Sequence, residues 1–335
     1  MADGSQMLGS LMGAPQAEGR AIRIGLVNNM PDTALAATER QFAGLLAQAA
    51  GGRAVSLSLF SLAGVARSET TAAAMAGRYG GLEALKAAEL DAIIVTGAEP
   101  KATTLPEEAY WGEMGQLIDW ARAGGVGASL WSCLGAHAAV LHMDGIERQR
   151  LPVKCSGLYL CERVSDDAMA QGLPEMVRMP HSRRNGLPVG ELAARGYHLI
   201  TESREAGADV FVRREAGLML FFQGHPEYDA DTLLREYCRD FARWIRGEQA
   251  RPALPVRYLD AATERALTAL ADEAARDPHG RMVARCGSIA NAFTPPHAWR
   301  AHAERLMANW VGEIVHNSFS HREKEGAQPH SAREG

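Results

Sequence analysis

Short β-branched runs alternate with amphipathic stretches through the first half of this chain, and that alternation restricts the fold more than any other feature. Ile22–Asn28 (IRIGLVN) is apolar at successive positions, as a strand buried on both faces requires. Thr38–Ala49 follows, with Phe42, Leu45 and Leu46 at helical spacing. Ser56–Ser61 reads as a second strand, Gly81–Ala88 as a helix and Asp91–Thr96 as a third strand. Tyr110–Ala123 carries Trp111, Met114, Leu117, Ile118 and Trp120 along one helical stripe. Gly127–Ser132 is the fourth strand and runs directly into Cys133 and a helix of small residues. Parallel strands need helical crossovers, so this order predicts an open, mostly parallel α/β sheet with helices on both faces.

Residues 157–222 are richer in strand pattern (LYLCERV, HLITES, ADVFVRR, LMLFFQ), which predicts an antiparallel or mixed extension of the same sheet. Helices are predicted over 231–246 and 299–316, joined by a Pro- and Ala-rich connector with one helix, about 250–298. We therefore expect one α/β domain over 21–316, a mobile leader over 1–20 and an irregular tail over 317–335.

Composition narrows the function. A net charge of −5 offers no basic field for nucleic acid. No apolar run reaches the length of a membrane span, and the N-terminus lacks the pattern of a secretory signal. The five cysteines (Cys133, Cys155, Cys161, Cys238, Cys286) are scattered and include no CxxC pair. That usage suits free thiols in a reducing compartment rather than a disulfide framework or a zinc site, so a cytoplasmic location is expected and no metal.

The chemistry concentrates where strands end. Cys133 lies at a strand-to-helix junction, where helix N-terminal amides can activate a thiol and hold an oxyanion. Taken alone, such a cysteine is more often a packing residue. Gly224–Tyr228 (GHPEY) places His225 and Glu227 after the apolar strand LMLFFQ, at the edge where catalytic groups of parallel sheets collect. A base beside the thiol and a carboxylate to orient the imidazole would complete a nucleophilic triad. Glu236 and Arg239, three residues apart on the next helix, share a face. They can hold the ammonium and carboxylate of a free amino acid, or form an ordinary surface ion pair. Pro180–Arg184 (PHSRR), with His181, Ser182 and Arg183, has no apolar pattern and is expected to be a loop.

At these residues the chain resembles the homoserine O-acyltransferases usually called homoserine transsuccinylases, whose fold is of the class I glutamine amidotransferase type. The resemblance is collinear from about Ile22 to Val315. It rests on NNMP (Asn28–Pro31), TERQF (Thr38–Phe42), IIVTGA (Ile93–Ala98), LPVKCSGLY (Leu151–Tyr159), PHSR (Pro180–Arg183), GHPEYDADTL (Gly224–Leu233), REYCRD (Arg235–Asp240) and WRAHAERLMANW (Trp299–Trp310). It implies a Cys133 nucleophile, a His225 base and an orienting Glu227. It also implies substrate contacts from Ser182, Arg183, Glu236 and Arg239, and Lys101 and Lys154 are expected as further substrate-binding residues. Backbone amides of Gly97, Ala98 and Leu134 would hold the oxyanion. No resident cofactor is implied: the expected partners are L-homoserine and an acyl-CoA donor, and the expected assembly is a homodimer early in methionine biosynthesis.

Two departures bear on specificity. Where the family carries paired lysines after the Met30–Pro31 turn, this chain reads DTALAATERQF, with no lysine before Lys86. The position associated with the choice of acyl donor falls on Lys101, where the family has glycine with succinyl or glutamate with acetyl. An ammonium there would attract the free carboxylate of succinyl-CoA and gain little from acetyl-CoA. Succinyl transfer is therefore expected, with acetyl-CoA as the alternative donor and serine as an alternative acceptor. A glutamine amidotransferase is disfavoured because Trp131 stands where such enzymes carry glycine, and a catalytically silent binding relative by the intact Cys133, His225 and Glu227.

Overall fold

Ten strands form a single sheet in the computed structural model, which describes residues 20–326. In chain order they are β1 (Ile22–Val27), β2 (Val55–Phe60), β3 (Tyr79–Gly80), β4 (Ala92–Val95), β5 (Ala128–Ser132), β6 (Gln149–Arg163), β7 (Met176–Gly186), β8 (His198–Ser203), β9 (Gly207–Arg214) and β10 (Leu218–Phe222). Across the sheet the order is β3-β2-β1-β4-β5-β10-β9-β8-β6-β7. The first six of these run parallel, and the remaining pairings are antiparallel.

Alternate residues of the central strands feed two separate cores. Ile24, Leu26, Ile94, Leu130 and Leu220 face one, with Phe42, Leu45 and Leu46 of helix α1 (Leu35–Ala49). Val27, Ile93, Val95, Trp131 and Phe221 face the other, with Met114, Leu117 and Ile118 of a later helix, Trp111–Arg122. Both faces are covered, which is why these strands read as continuous apolar runs rather than alternating ones. In chain order the remaining helices are α2 (Glu69–Met75), α3 (Leu82–Ala87), α4 (Trp111–Arg122), α5 (Leu134–Asp144), α6 (Val189–Ala194), α7 (Thr232–Ile245), α8 (Ala261–Arg276), α9 (Arg281–Ala292) and α10 (Arg300–Gly326).

Three expectations need correction. The 250–298 segment holds two helices, α8 and α9, and contributes Leu267, Leu270, Met282 and Cys286 to the first core. Helix α10 continues to Gly326, into the stretch expected to be an irregular tail, while residues 1–19 and 327–335 lie outside the described residues. The expected PHSRR loop is instead part of β7, the edge strand. Its inward positions include Val177, Met179, His181 and Arg183, so two of the buried side chains are polar and the apolar alternation that signals a strand is interrupted.

Candidate active site

Strands β4, β5 and β10 end side by side, and their C-terminal turns build the site. Cys133 leaves β5 at φ 47°, ψ −105° and caps the N-terminus of α5. A non-glycine residue in that region is strained, and the strain turns the thiol out above the sheet edge. The conformation is held by the Cys133 N–H, which donates to the Phe222 carbonyl at 2.7 Å. The first amides of α5 have no intrahelical acceptor and point back toward the thiol.

The turn after β4 closes the site from the other side. A Cβ on Gly97 would lie 2.3 Å from Leu134 Cβ and 3.1 Å from the Gly135 nitrogen, so only glycine allows this approach. Buried Asn29 fixes the same turn: its N–H donates to Thr96 Oγ1 at 2.9 Å. Gly97, Ala98 and Leu134, the expected oxyanion positions, are thereby brought together. The lysine-free turn after β1 still carries a cation, because Arg67 donates to the Asn28 carbonyl at 3.0 Å and to that of Met30.

His225 follows β10 and is buried, with its backbone N–H donating to the Pro180 carbonyl at 2.8 Å. Its Nδ1 lies 2.9 Å from Glu227 Oε1, and the Cys133 sulfur is close enough to act on the charge of the same ring. Burial works to discharge the imidazolium, but the Glu227 carboxylate and the Cys133 sulfur outweigh it and raise the His225 pKa well above its ordinary value. The three groups are thus arranged to share a proton between thiol and imidazole. His137, one turn into α5, takes no such part. Burial lowers its pKa to about 3, and its Nε2 meets Gln223 Oε1 at 2.9 Å.

His225 and Glu236 are joined through Tyr228, whose ring stacks on His225 at 4.3 Å between centroids. Its hydroxyl, kept protonated by burial and by the Glu236 carboxylate, donates to Glu236 Oε1 at 3.1 Å. Glu236 Oε2 is buried without a hydrogen-bond partner among the described residues, an acceptor open to a ligand cation. Arg239 approaches Glu236 at 3.7 Å and bonds Asp240 Oδ1 at 3.0 Å, while Lys154 Nζ holds Asp240 Oδ2 at 2.7 Å. Lys154 and Asp240 also line a cleft of about 530 Å³ with Arg150, Arg184 and Arg251.

The remaining predicted residues are placed differently. Ser182 is half-buried in β7 opposite Ser156. The Arg183 guanidinium is engaged by the carbonyls of Asn185, at 2.7 Å, and Ala206. The Lys101 side chain is exposed, although its backbone N–H is held by Glu108 Oε1 at 2.7 Å.

Sequence reasoning missed a buried polar cluster behind the catalytic turn. Cys161, His181 and Asp209 bring ligand-type atoms within 4.8 Å of one another, although their spacing shows no metal-site pattern. His181 Nε2 lies 3.2 Å from Asp209 Oδ1, at an angle too bent for a good hydrogen bond. Asp209 Oδ2 accepts from Thr201 Oγ1 at 2.8 Å, and burial lowers the His181 pKa, which keeps the ring neutral. β8 and β6 separate β7 from β9 in the sheet, so this contact requires the β6–β7 hairpin to curl back. A Cβ on Gly224 would lie 2.8 Å from Asp209 Oδ1 and 2.3 Å from Met179 Cγ, so the His225 turn rests directly on this junction.

The sequence profile of the family described as homoserine O-succinyltransferase matches residues 5–320. The chain is 49% identical to the homoserine O-succinyltransferase of Rhodopseudomonas palustris, over 88% of this chain and 89% of that one. It is 46% identical to that of Methylorubrum extorquens (90% and 89%) and 42% identical to that of Bradyrhizobium japonicum (93% and 98%). Among solved structures, a glutamine amido transferase from Methylobacillus flagellatus superposes with a TM-score of 0.50 at 13% identity, covering 94% of this chain and 99% of that one, which shows a shared fold. Among the described residues no helix is long and apolar enough to cross a membrane.

Proposed function

Since the chain belongs to the homoserine O-succinyltransferase family, we propose that it moves the succinyl group of succinyl-CoA to the hydroxyl of L-homoserine through an acyl-enzyme on Cys133. The observation that carries the mechanism is one buried imidazole held by Glu227 at 2.9 Å and within electrostatic range of the Cys133 sulfur. The Cys133 thiolate attacks the thioester carbonyl, and the oxyanion is met by amides of the Gly97–Ala98 turn and Leu134. The bond to the coenzyme A sulfur breaks, and that sulfur leaves with the proton from His225. Neutral His225 then removes the homoserine hydroxyl proton, and the oxygen takes the acyl group, restoring the thiolate and the imidazolium.

Glu236 Oε2 supplies an acceptor for the homoserine ammonium and Arg239 a donor for its carboxylate. The cations of the cleft around Lys154 suit the phosphates of the donor. A cytoplasmic homodimer acting early in methionine biosynthesis belongs to the same reading.

Intact-protein mass spectrometry after brief exposure to succinyl-CoA, without acceptor, tests it. The expected result is one succinyl adduct on Cys133 that disappears when L-homoserine is added. An acetyl adduct from acetyl-CoA in its place would make this an acetyltransferase. No adduct from either donor, with glutamine hydrolysed instead, would favour an amidotransferase.

The tight approach at Gly97 makes a separate prediction. Gly97→Ala should push the oxyanion amides off position and lower kcat by about 10–100-fold. The thermal midpoint should fall by only a few degrees, roughly what a 1–2 kcal/mol loss gives in a domain of this size. Steady-state kinetics beside a melting curve separate the two effects.

A further inference from the structure

Arg148, between α5 and β6, is half-buried, and its guanidinium makes no hydrogen bond or ion pair with a described residue. Burial lowers its pKa, while Tyr110, Glu108 and Cys133 favour its charge, Arg150 opposes it, and it acts in turn on His137, which is neutral. Glu108 is already committed, since its Oε1 accepts the backbone N–H groups of Lys101 and Ala102 at 2.7 and 2.8 Å.

Tyr110 supplies an independent observation. The residue is 4% exposed, yet its hydroxyl is buried with no hydrogen-bond partner among the described residues. Burial, reinforced by Glu108, pushes its pKa up to about 12, so the hydroxyl is a donor at neutral pH. A buried donor and a half-buried cation left unpaired together are costly, and a bound anion would satisfy both.

The position decides which anion. The phosphates of coenzyme A lie a whole pantetheine arm from the thioester, too far for a cation that feels the Cys133 sulfur. The acceptor's carboxylate has Arg239. A succinyl group on Cys133, however, ends in a carboxylate only two methylenes beyond the acyl carbon. We propose that Arg148 and Tyr110 form the subsite for the free carboxylate of the transferred acyl group, and so set the choice of donor. This rests on the acyl-transfer reading above. It assigns to Arg148 the cationic role that the sequence suggested for Lys101, whose side chain is exposed while its backbone belongs to the same loop.

The test is the ratio of kcat/KM for succinyl-CoA over butyryl-CoA, which has the same chain length with a methyl in place of the carboxylate. Arg148→Gln should lower that ratio by at least about 30-fold, Arg148→Lys by less, and Tyr110→Phe by about 5–10-fold. Tyr110→Phe keeps the ring and remains decisive if the arginine variants fail to fold. An unchanged ratio in Tyr110→Phe and a folded Arg148→Gln overturns the subsite. So does an equal loss with both donors, which would tie Arg148 to the nucleophile or to folding. A raised KM for homoserine at constant ratio would place the acceptor there and also refute the proposal. Loss of the ratio in Lys101→Ala but not in Arg148→Gln would move the contact to the loop. Failure of the unsubstituted protein to transfer from succinyl-CoA at all would overturn the acyl-transfer reading itself.

Discussion

Cys133→Ser should lower turnover by at least about 10⁴-fold and abolish acyl-enzyme formation, while Cys133→Gly should abolish both and make the fold more stable. The first effect follows from chemistry, because a serine hydroxyl in a site built around a thiolate is a far weaker nucleophile. The second follows from the backbone. Cys133 sits at φ 47°, ψ −105°, a region costing a side-chain-bearing residue about 1–3 kcal/mol. Glycine relieves that strain but loses more chain entropy on folding, which leaves a net gain of about 1 kcal/mol. Serine keeps the strain, so its melting temperature should match that of the unsubstituted protein. Calorimetry of both variants beside an activity assay makes the comparison. A Cys133→Gly variant less stable than Cys133→Ser would show that the turn is not strained by its side chain.

The second large effect is expected at Glu227. Glutamine keeps the shape and an acceptor for His225 Nδ1–H but removes the charge, and kcat should fall by about 10²–10⁴-fold. The pH dependence gives a sharper reading. Burial lowers the His225 pKa, and the Glu227 carboxylate and Cys133 sulfur together raise it above the ordinary value. With the carboxylate gone, burial is opposed by the sulfur alone, so the pKa must drop. Histidine holds its proton below its pKa, so the imidazolium is lost at a lower pH in Glu227→Gln. Coenzyme A release in the absence of acceptor needs that proton, so its alkaline limb should move to lower pH. Measuring this burst across pH reads the shift, and a limb that stays put or moves up would show that Glu227 does not control the His225 proton.

Parts of the site were legible because they depend on local signals. The parallel strands β1, β4, β5 and β10 announce themselves as predominantly apolar runs, broken only by Arg23 in β1 and by Ser129 and Ser132 in β5, since both their faces are covered. Cys133 and His225 follow two such runs directly, which places them on one edge of a parallel sheet before any contact is known. Glu236 and Arg239 share a helix face by spacing alone. The family motifs then attached roles to these positions.

What stayed hidden depends on where polar side chains are buried. β7 did not read as a strand because inward-facing His181 and Arg183 interrupt its apolar alternation, and apart from the Asn185 carbonyl of β7 itself the groups they meet there, Asp209 and the Ala206 carbonyl, lie on or beside β9. The same holds for Arg148 and Tyr110, which no periodicity connects and which come within electrostatic range of each other in a fold where α4 and α5 pack together. The sequence by itself therefore determined the parallel part of the sheet and the edge at which Cys133 and His225 gather, since hydrophobic period and chain order are local properties. The tertiary structure decided which polar groups are paired, which are left open to a ligand, and how the hairpin of β6 and β7 supports the catalytic histidine, because burying a polar group is settled by partners far away in the chain.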